Sequence, residues 1–159
     1  MSILVISDTH GKIDNVLQII KNNKNIDLII HLGDLVRDAE TLEIIEEIKI
    51  EYIAGNCDFI SKYPKEKIIE YKNKRIFLTH GHQYNVKWEY STIKKTGKRQ
   101  NADIVLFGHT HIPYLDEDEI ILMNPGSISS PRGGNKLSYG IISIDNSNNI
   151  QAIIESFIK

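Results

Sequence analysis

The sequence predicts an α/β fold in which two β-sheets pack face to face and helices cover the outside. Apolar runs alternate with amphipathic helical patterns early in the chain, and hairpin-like pairs of strands follow later. Hydrophobic residues make up 41% of the 159 residues, which suffices for a core. Each sheet or helix has an apolar face that another layer must cover. A single doubly wound sheet is the alternative. No linker interrupts residues 1–159, so one domain is expected.

The first strand is predicted at residues 3–6, where aliphatic and β-branched side chains form a short run. This run ends in the polar segment 7–11, which contains Asp8 and His10. Apolar residues then recur at intervals of three and four, which is the period of an amphipathic helix. They are Ile13, Val16, Leu17 and Ile20.

The same pattern repeats after this first unit. A second strand is predicted at 27–32, a loop at 33–38, a helix at 39–48 and a third strand at 51–54, which ends in the loop 55–58. Right-handed crossovers between parallel strands bring the loops at their carboxyl ends to one edge of a sheet. We therefore expect these polar loops to share one rim.

The remainder of the chain is richer in strands. Residues 67–71 and 75–79 flank the short polar segment 72–74, which is typical of a hairpin. A third helix is predicted at 86–99. Four more strands follow, at 103–107, 119–123, 139–144 and 150–157. The prediction is thus eight or nine strands with three helices.

Charge and cysteine content limit the classes of function. The net charge of -2 and the pI near 6.3 give no general basic field, so duplex nucleic acid is not indicated as a partner. The only cysteine, Cys57, cannot form an internal disulfide. No secretory leader opens the sequence, and the apolar runs are too short to span a membrane. These features predict a cytoplasmic protein.

Side chains that bind metals are concentrated in loops that follow predicted strands. Five loops contribute: Asp8 and His10, Asp34 and Asp38, Asn56 and Asp58, His80 and His82, and His109 and His111. Residues two apart on an extended backbone point to the same side, so the first and last of these pairs can each face one metal.

The ligand types restrict the metal. Carboxylate oxygen together with imidazole nitrogen suits Mn, Fe, Zn, Co or Ni, and the absence of a thiolate cluster disfavours a structural zinc site. Asp34 is the natural bridge, because one carboxylate can bind two cations. Asn56 would add a neutral carbonyl ligand.

Several neighbouring residues have ordinary structural explanations. His31 is expected to be a hydrogen-bonded core histidine, Asp58 a cap, and Cys57 a small apolar packing residue. His82 could assist the leaving group or support a loop. Arg132 could reach a phosphate, although a solvated loop arginine is the simpler interpretation.

Taken together, these loops resemble the motifs of the calcineurin-like metallophosphoesterases. The resemblance rests on Asp8-x-His10, Gly33-Asp34-x-x-x-Asp38, Gly55-Asn56, Thr79-His80-Gly81-His82 and Gly108-His109-Thr110-His111. The segments 55–58 and 124–127 further resemble the small prokaryotic phosphodiesterases of this superfamily. The resemblance implies a four-layer sandwich, with two sheets flanked by helices and two divalent metals at one end.

The resemblance also implies a ligand set and a reaction. One metal would be held by Asp8, His10, Asp34 and His111, and the other by Asp34, Asn56, His80 and His109. Mn is the first candidate, with Ni, Fe, Zn, Mg or Co as others. A hydroxide that bridges the two metals would attack the phosphorus in line with the leaving oxygen. Asp34, Asn56, His82 and Cys57 are the candidate catalytic residues.

Cys57 is the main departure from the family pattern, because most members have a histidine there. A thiol is a weak hydrogen-bond donor, which favours a small phosphodiester with an easily released group. A phosphomonoesterase, and a non-catalytic scaffold like the retromer subunit that shares this fold, are the alternatives. No membrane partner is expected, and a homo-oligomer is possible.

Overall fold

The computed structural model describes residues 2–59 and 62–158. Its ten strands are β1 (Ser2–Ile6), β2 (Ile26–His31), β3 (Lys49–Tyr52), β4 (Glu66–Tyr71), β5 (Lys74–Thr79), β6 (Ile104–Leu106), β7 (Pro113–Asp116), β8 (Ile121–Pro125), β9 (Ser138–Ile144) and β10 (Ile150–Ser156). The helices are α1 (Ile13–Asn22), α2 (Val36–Ile45) and α3 (Ser91–Arg99), with a 3₁₀ turn at His82–Tyr84.

The strands form two five-stranded mixed sheets, in the orders β10-β9-β1-β2-β3 and β4-β5-β6-β8-β7. β1, β2 and β3 are parallel because α1 and α2 carry the chain back between them. In the second sheet β6 lies parallel to both β5 and β8. The predicted two-sheet sandwich is confirmed, and the single doubly wound sheet is wrong.

The core lies between the two sheets. Ile3 and Val5 of β1 join Ile76 and Leu78 of β5 in one buried cluster, which closes the sandwich. The alternate residues of β1 point to the opposite side, where Leu4 packs with residues of α1 and α2. Successive residues of β1 face opposite sides of the sheet, and both sides are buried. This explains why the sequence of the strand is apolar without interruption.

Two helices differ from their predicted bounds. α2 begins at Val36 rather than residue 39, because Asp58 accepts a hydrogen bond from the Val36 backbone N–H at 2.9 Å and so caps the first turn. α3 begins at Ser91 rather than residue 86. The carboxylate of Glu89 accepts a hydrogen bond from the Ser91 backbone N–H at 2.7 Å, while Asn85 has a left-handed φ of 54°.

The strand β7 was not predicted. It pairs antiparallel with β8 at the edge of the second sheet, and its residues are only partly buried. Its sequence therefore lacks the apolar run by which the buried strands were recognised. None of the helices in the described part of the chain has the length and apolar character that a bilayer-spanning segment requires.

Candidate metal centre

The polar loops meet at one end of the sandwich, where the two sheets are joined by hydrogen bonds. The His109 backbone N–H donates to Asp8 Oδ2 at 3.2 Å, which links the loop after β6 to the loop after β1. Asp8 N–H donates to the Gly33 carbonyl, and the Gly108 N–H donates to the His80 carbonyl. Loops from both sheets thus form one rim.

Four side chains of this rim form a cluster that could hold a metal ion. One ligand atom from each of Asp8, His10, Asp34 and His111 lies within 4.8 Å of the others. His10 is partly exposed, whereas the other three are buried. This set coincides with the predicted ligands of the first metal.

The hydrogen bonds of His111 fix which nitrogen faces this cluster. His111 Nδ1 lies 2.6 Å from the Ser130 carbonyl oxygen and must therefore donate its proton there. Nε2 then faces Asp8 Oδ1 at 3.0 Å, although that buried oxygen has no hydrogen-bond partner of good geometry among the described residues. A positive charge is needed between these atoms, as a second proton on the ring or as a metal cation.

The same arrangement recurs at His80. Its Nδ1 donates to the Leu32 carbonyl oxygen at 2.7 Å, so Nε2 faces Asn56 Oδ1 at 3.1 Å and Asp34 Oδ1 at 3.4 Å. The ring of His109 has its centroid 5.2 Å from that of His80. The four predicted ligands of the second metal are thus neighbours, with His80 Nε2 beside the oxygens of Asn56 and Asp34 and the His109 ring next to that of His80.

Asp34 lies between the two clusters. Its Oδ1 accepts a hydrogen bond from the Cys57 backbone N–H at 2.9 Å. A Cβ at position 55 would lie 2.2 Å from that oxygen, so only glycine fits there. Burial opposes ionisation, but the interaction with His80 and the Cys57 N–H hold the pKa of Asp34 well below its ordinary value. The side chain is therefore an anion suited to bridge two cations.

Charge and burial also keep His109 neutral. Burial, together with the positive charges of His80 and Lys87, lowers the pKa of His109 to about 4. Neutral imidazole is the form that binds metals.

Asp58 and His31 support the rim rather than face it. Asp58 accepts hydrogen bonds from the backbone N–H groups of Asp34, Val36 and Gly55, which agrees with its predicted role as a cap. His31 is fully buried, with its Nε2 2.9 Å from Thr9 Oγ1, which in turn donates to Asp38. The prediction of a satisfied core histidine is confirmed.

The sequence interpretation missed the residues that hold Asp8. The Asp8 carbonyl accepts hydrogen bonds from the hydroxyls of Ser127 and Ser129, and the Ser7 hydroxyl donates to Asp8 Oδ2. Asn124 donates to the Gly108 carbonyl at 2.8 Å and so positions the loop of His109. The two serine hydroxyls that hold the Asp8 carbonyl lie more than 100 positions from it in the chain, and only the segment 124–127 had drawn attention to this region.

Cys57 does not pack as a small apolar residue, because its side chain is exposed at the edge of the site. Partial desolvation and the negative charge of Asp34 raise the pKa of the thiol to about 11, so it is neutral at neutral pH. The expected packing role is therefore wrong, and the backbone N–H of Cys57 contacts the site by donating to Asp34 Oδ1.

His82 and Arg132 lie at the border of the centre. The ring centroid of His82 is 5.5 Å from that of His80 and 6.1 Å from that of His109. Its buried Nδ1 has no hydrogen-bond partner in the described part of the chain. The Arg132 side chain is exposed, and its backbone N–H donates to the His111 carbonyl.

Two relatives align with most of this chain in sequence. "Probable metallophosphoesterase YsnB" of Bacillus subtilis (strain 168) is 34% identical over 148 residues, covering 92% of this chain and 86% of that protein. "Phosphodiesterase YfcE" of Escherichia coli (strain K12) is 31% identical over 172 aligned positions, covering 91% of this chain and 89% of that protein.

Solved structures share the fold. A conserved protein of Streptococcus pneumoniae TIGR4, described as a predicted phosphoesterase, superposes with a TM-score of 0.82 at 31% identity, covering 98% of this chain and 88% of that one. Wild-type Vps29 of Entamoeba histolytica, complexed with Zn²⁺, superposes with a TM-score of 0.78 at 21% identity, covering 99% of this chain and all of that one. The latter similarity shows the fold alone.

A family model also matches the sequence directly. The calcineurin-like phosphoesterase superfamily domain matches residues 1–147, which include every candidate ligand described above. The chain therefore belongs to the calcineurin-like phosphoesterase superfamily.

Proposed function

We propose that this protein is a metal-dependent phosphodiesterase with two divalent cations at the rim of the sandwich. Asp8, His10, Asp34 and His111 would hold one cation. Asp34, Asn56, His80 and His109 would hold the other. The observation that carries this proposal is the cluster of ligand atoms from Asp8, His10, Asp34 and His111, beside which His80 Nε2 faces Asp34 and Asn56. The opposite nitrogens of His80 and His111 are committed to backbone carbonyls.

The donor set suits borderline cations. Mn is the first candidate, with Ni, Fe, Zn, Mg or Co as others, because oxygen and imidazole ligands occur together without thiolate. Such cations, when bound, lower the pKa of water and neutralise charge on phosphoryl oxygens.

The protein's own groups would orient the phosphate and the leaving oxygen. In hydrolysis a water oxygen becomes bonded to phosphorus, one ester P–O bond breaks, and the departing oxygen gains a proton. Burial and the charge of His80 lower the pKa of His82, so its imidazole is neutral and can donate a hydrogen bond to an oxygen of the phosphate. The neutral thiol of Cys57 is a weaker acid than the histidine that it replaces, which favours diesters with easily released groups.

Two alternatives are less well supported. A non-catalytic scaffold has no need for an intact ligand set, yet all of the predicted ligands lie together at the rim. A phosphomonoesterase would have to stabilise a dianionic group without the missing histidine. The cytoplasmic location, the small-diester substrate and a possible homo-oligomer stay predictions.

The deciding experiment compares a phosphodiester with its monoester. Protein stripped of metal with a chelator and reloaded with Mn should hydrolyse bis(p-nitrophenyl) phosphate faster than p-nitrophenyl phosphate, and should lose both activities when it is stripped again. Metal content is measured on the same samples. A preference for the monoester would contradict the diesterase proposal, and a metal-free protein with full activity would contradict the metal centre itself.

A further inference from the structure

Two exposed aromatic side chains border the metal centre. Among residues 2–59 and 62–158, the only Phe, Tyr or Trp side chains classed as exposed are Phe59, at 90%, and Trp88, at 88%. A large aromatic ring is exposed to water at a cost in free energy, and contact with a ligand or partner that covers the ring would be favourable. The coincidence of both rings with the same end of the molecule therefore points to a ligand of that site.

Phe59 lies on a cleft that opens beside Asp34. The cleft is lined by Phe59, Tyr63, Arg37, Lys62 and Cys57, among others, and has a volume of about 370 Å³. Cys57 connects it to the metal centre, because its backbone N–H donates to Asp34 Oδ1. An organic group bound in this cleft would lie next to a phosphate at the ligand cluster, so the two could belong to one phosphodiester.

Trp88 lies on a separate cleft beside the second ligand cluster. That cleft is lined by His82, His109, Lys87 and Trp88, with Asn85 and Val86 completing it. A neighbouring depression adds Arg132 and Tyr90 and shares Lys87. The Phe59 and Trp88 clefts have no lining residue in common, and they reach the metal centre through different loops.

Positive charge accompanies each ring. Arg37 and Lys62 line the Phe59 cleft, and Lys87 lines the Trp88 cleft with Arg132 close by. None of the four forms an ion pair within the described part of the chain.

The carboxylates that share the Phe59 cleft are already engaged. Glu40 accepts a hydrogen bond from the Tyr63 hydroxyl at 2.7 Å, and Asp58 accepts three from backbone N–H groups. Lys62 Nζ lies 5.1 Å from the centroid of the Tyr63 ring, a contact that leaves its charge without a carboxylate partner in the described part of the chain, so Lys62 and Arg37 can both attract an anionic ligand.

We infer that the substrate is a short single-stranded oligonucleotide, with a nucleobase stacked on each exposed ring and flanking phosphates near the cations. This inference rests on the proposed function. A phosphodiester has two organic arms, and two aromatic clefts with unpaired cations match two nucleosides with further phosphates beyond them. Base pairing would withhold the faces of the bases from both rings, so duplexes should be poor substrates. Water cleaves one P–O bond, which leaves a phosphomonoester on one fragment and a hydroxyl on the other.

Trp88 provides a binding signal that does not depend on turnover, because it is the only tryptophan in the chain. Titration of the chelator-treated protein with a thymidine tetranucleotide should quench its fluorescence, and glycerol phosphodiesters should not. The same tetranucleotide in a duplex with a longer complementary strand should quench less. Absence of quenching by the single strand would overturn the inference.

Kinetics of the Mn-loaded protein test both rings. Phe59→Ala and Trp88→Ala should each lower kcat/KM for the tetranucleotide by roughly 5- to 150-fold, the range that loss of one base–aromatic stack gives, mainly through KM. Ile44→Ala, at a position exposed to 86%, is the matched control and should leave the kinetics unchanged.

The outcomes separate the two proposals. Hydrolysis of bis(p-nitrophenyl) phosphate without any effect of Phe59→Ala or Trp88→Ala on the tetranucleotide would refute the inference and leave the proposed function standing. No hydrolysis of any diester would refute both. If the unsubstituted protein is a dimer and Trp88→Ala makes it a monomer, the rings belong to an interface between two copies of the chain. That result would also overturn the inference.

Discussion

Asp34 is the side chain on which both ligand clusters depend, since it belongs to the first cluster and lies 3.4 Å from His80 of the second. Asp34→Asn replaces the proposed bridging anion with a neutral amide. We expect diesterase activity to fall by more than about 100-fold, which exceeds the loss typical when a residue that hydrogen-bonds to a metal ligand is replaced. The metal content should fall with the activity.

Asp27→Asn is the matched control for that change. Asp27 lies near the start of β2, at the end of the strand away from the rim loops. Its carboxylate accepts a hydrogen bond from the Tyr71 hydroxyl. Turnover of the Asp34→Asn protein within a few-fold of that of Asp27→Asn would refute the bridging role.

Single residues also show what the sequence can and cannot reveal about the centre. Asp8, His10 and His111 are recognisable because each chelating residue follows a strand and lies close to a glycine in the chain. Ser127 and Ser129 are not, because a serine hydroxyl that donates to the Asp8 carbonyl has no local pattern. Their role depends on the fold, which brings residue 8 and residue 127 together.

At the level of elements, the start of α2 depends on a cap from another loop. Asp58 follows β3 in the chain, yet its carboxylate accepts hydrogen bonds from the Val36 N–H of α2 and from the Asp34 N–H of the candidate metal centre. Asp58→Ala leaves these donors without a partner, and we expect it to lower the free energy of unfolding by about 1–3 kcal/mol.

Chemical denaturation measures that loss, and metal titration measures its effect on the site. Asp58→Asn keeps one acceptor oxygen and should lose less stability than Asp58→Ala. Equal stability of the alanine variant and the unsubstituted protein would show that α2 needs no cap.

The elements that the sequence missed share one cause. Local periodicity reports which residues face the core, but it does not report partners from distant segments. α2 begins three residues early because of Asp58, and β7 exists because β8 offers it a free edge. β1, by contrast, was predicted correctly because both of its faces are buried, which leaves a continuous apolar run.

Across the whole molecule, Glu51 ties the first sheet to the second. This buried residue of β3 forms ion pairs with Lys49, at 2.7 Å, and with Lys67 of β4. Burial opposes its charge, but the hydrogen bonds from both lysines hold the pKa of Glu51 below its ordinary value.

A depressed pKa in the folded state makes stability depend on pH in one direction. The contribution of Glu51 is fully present above the unfolded-state pKa of about 4.3 and is lost as pH falls through the lower folded-state value. Glu51→Gln should therefore cost roughly 1–3 kcal/mol at neutral pH and less in acid. Denaturation series at several pH values test this. Glu70→Gln, at an exposed position of β4, serves as control, and a loss that grows in acid would contradict the assignment.

The architecture was predictable as a class because the crossovers and the hairpin have different sequence patterns. Parallel pairing of β1, β2 and β3 follows from their alternation with helices, and the hairpin of β4 and β5 follows from a short polar turn. The order of strands in the second sheet was not predictable, because β6 pairs with β8, whereas β7, which lies between them in sequence, is at the edge of the sheet beyond β8.

Metal binding should stabilise the molecule as one unit, because the proposed ligands come from loops of both sheets and the sheets share one core cluster. Mn at 100 times its dissociation constant adds about 2.7 kcal/mol, which corresponds to an increase of about 5–10 °C in Tm for a protein of this size. Calorimetry should show a single transition over residues 1–159 that moves as a whole, and a chelator should reverse the shift. A second unfolding transition whose Tm does not change with the metal would contradict the single-domain prediction. An unchanged Tm would remove support for the metal centre, because ions that bind only the folded state must raise it.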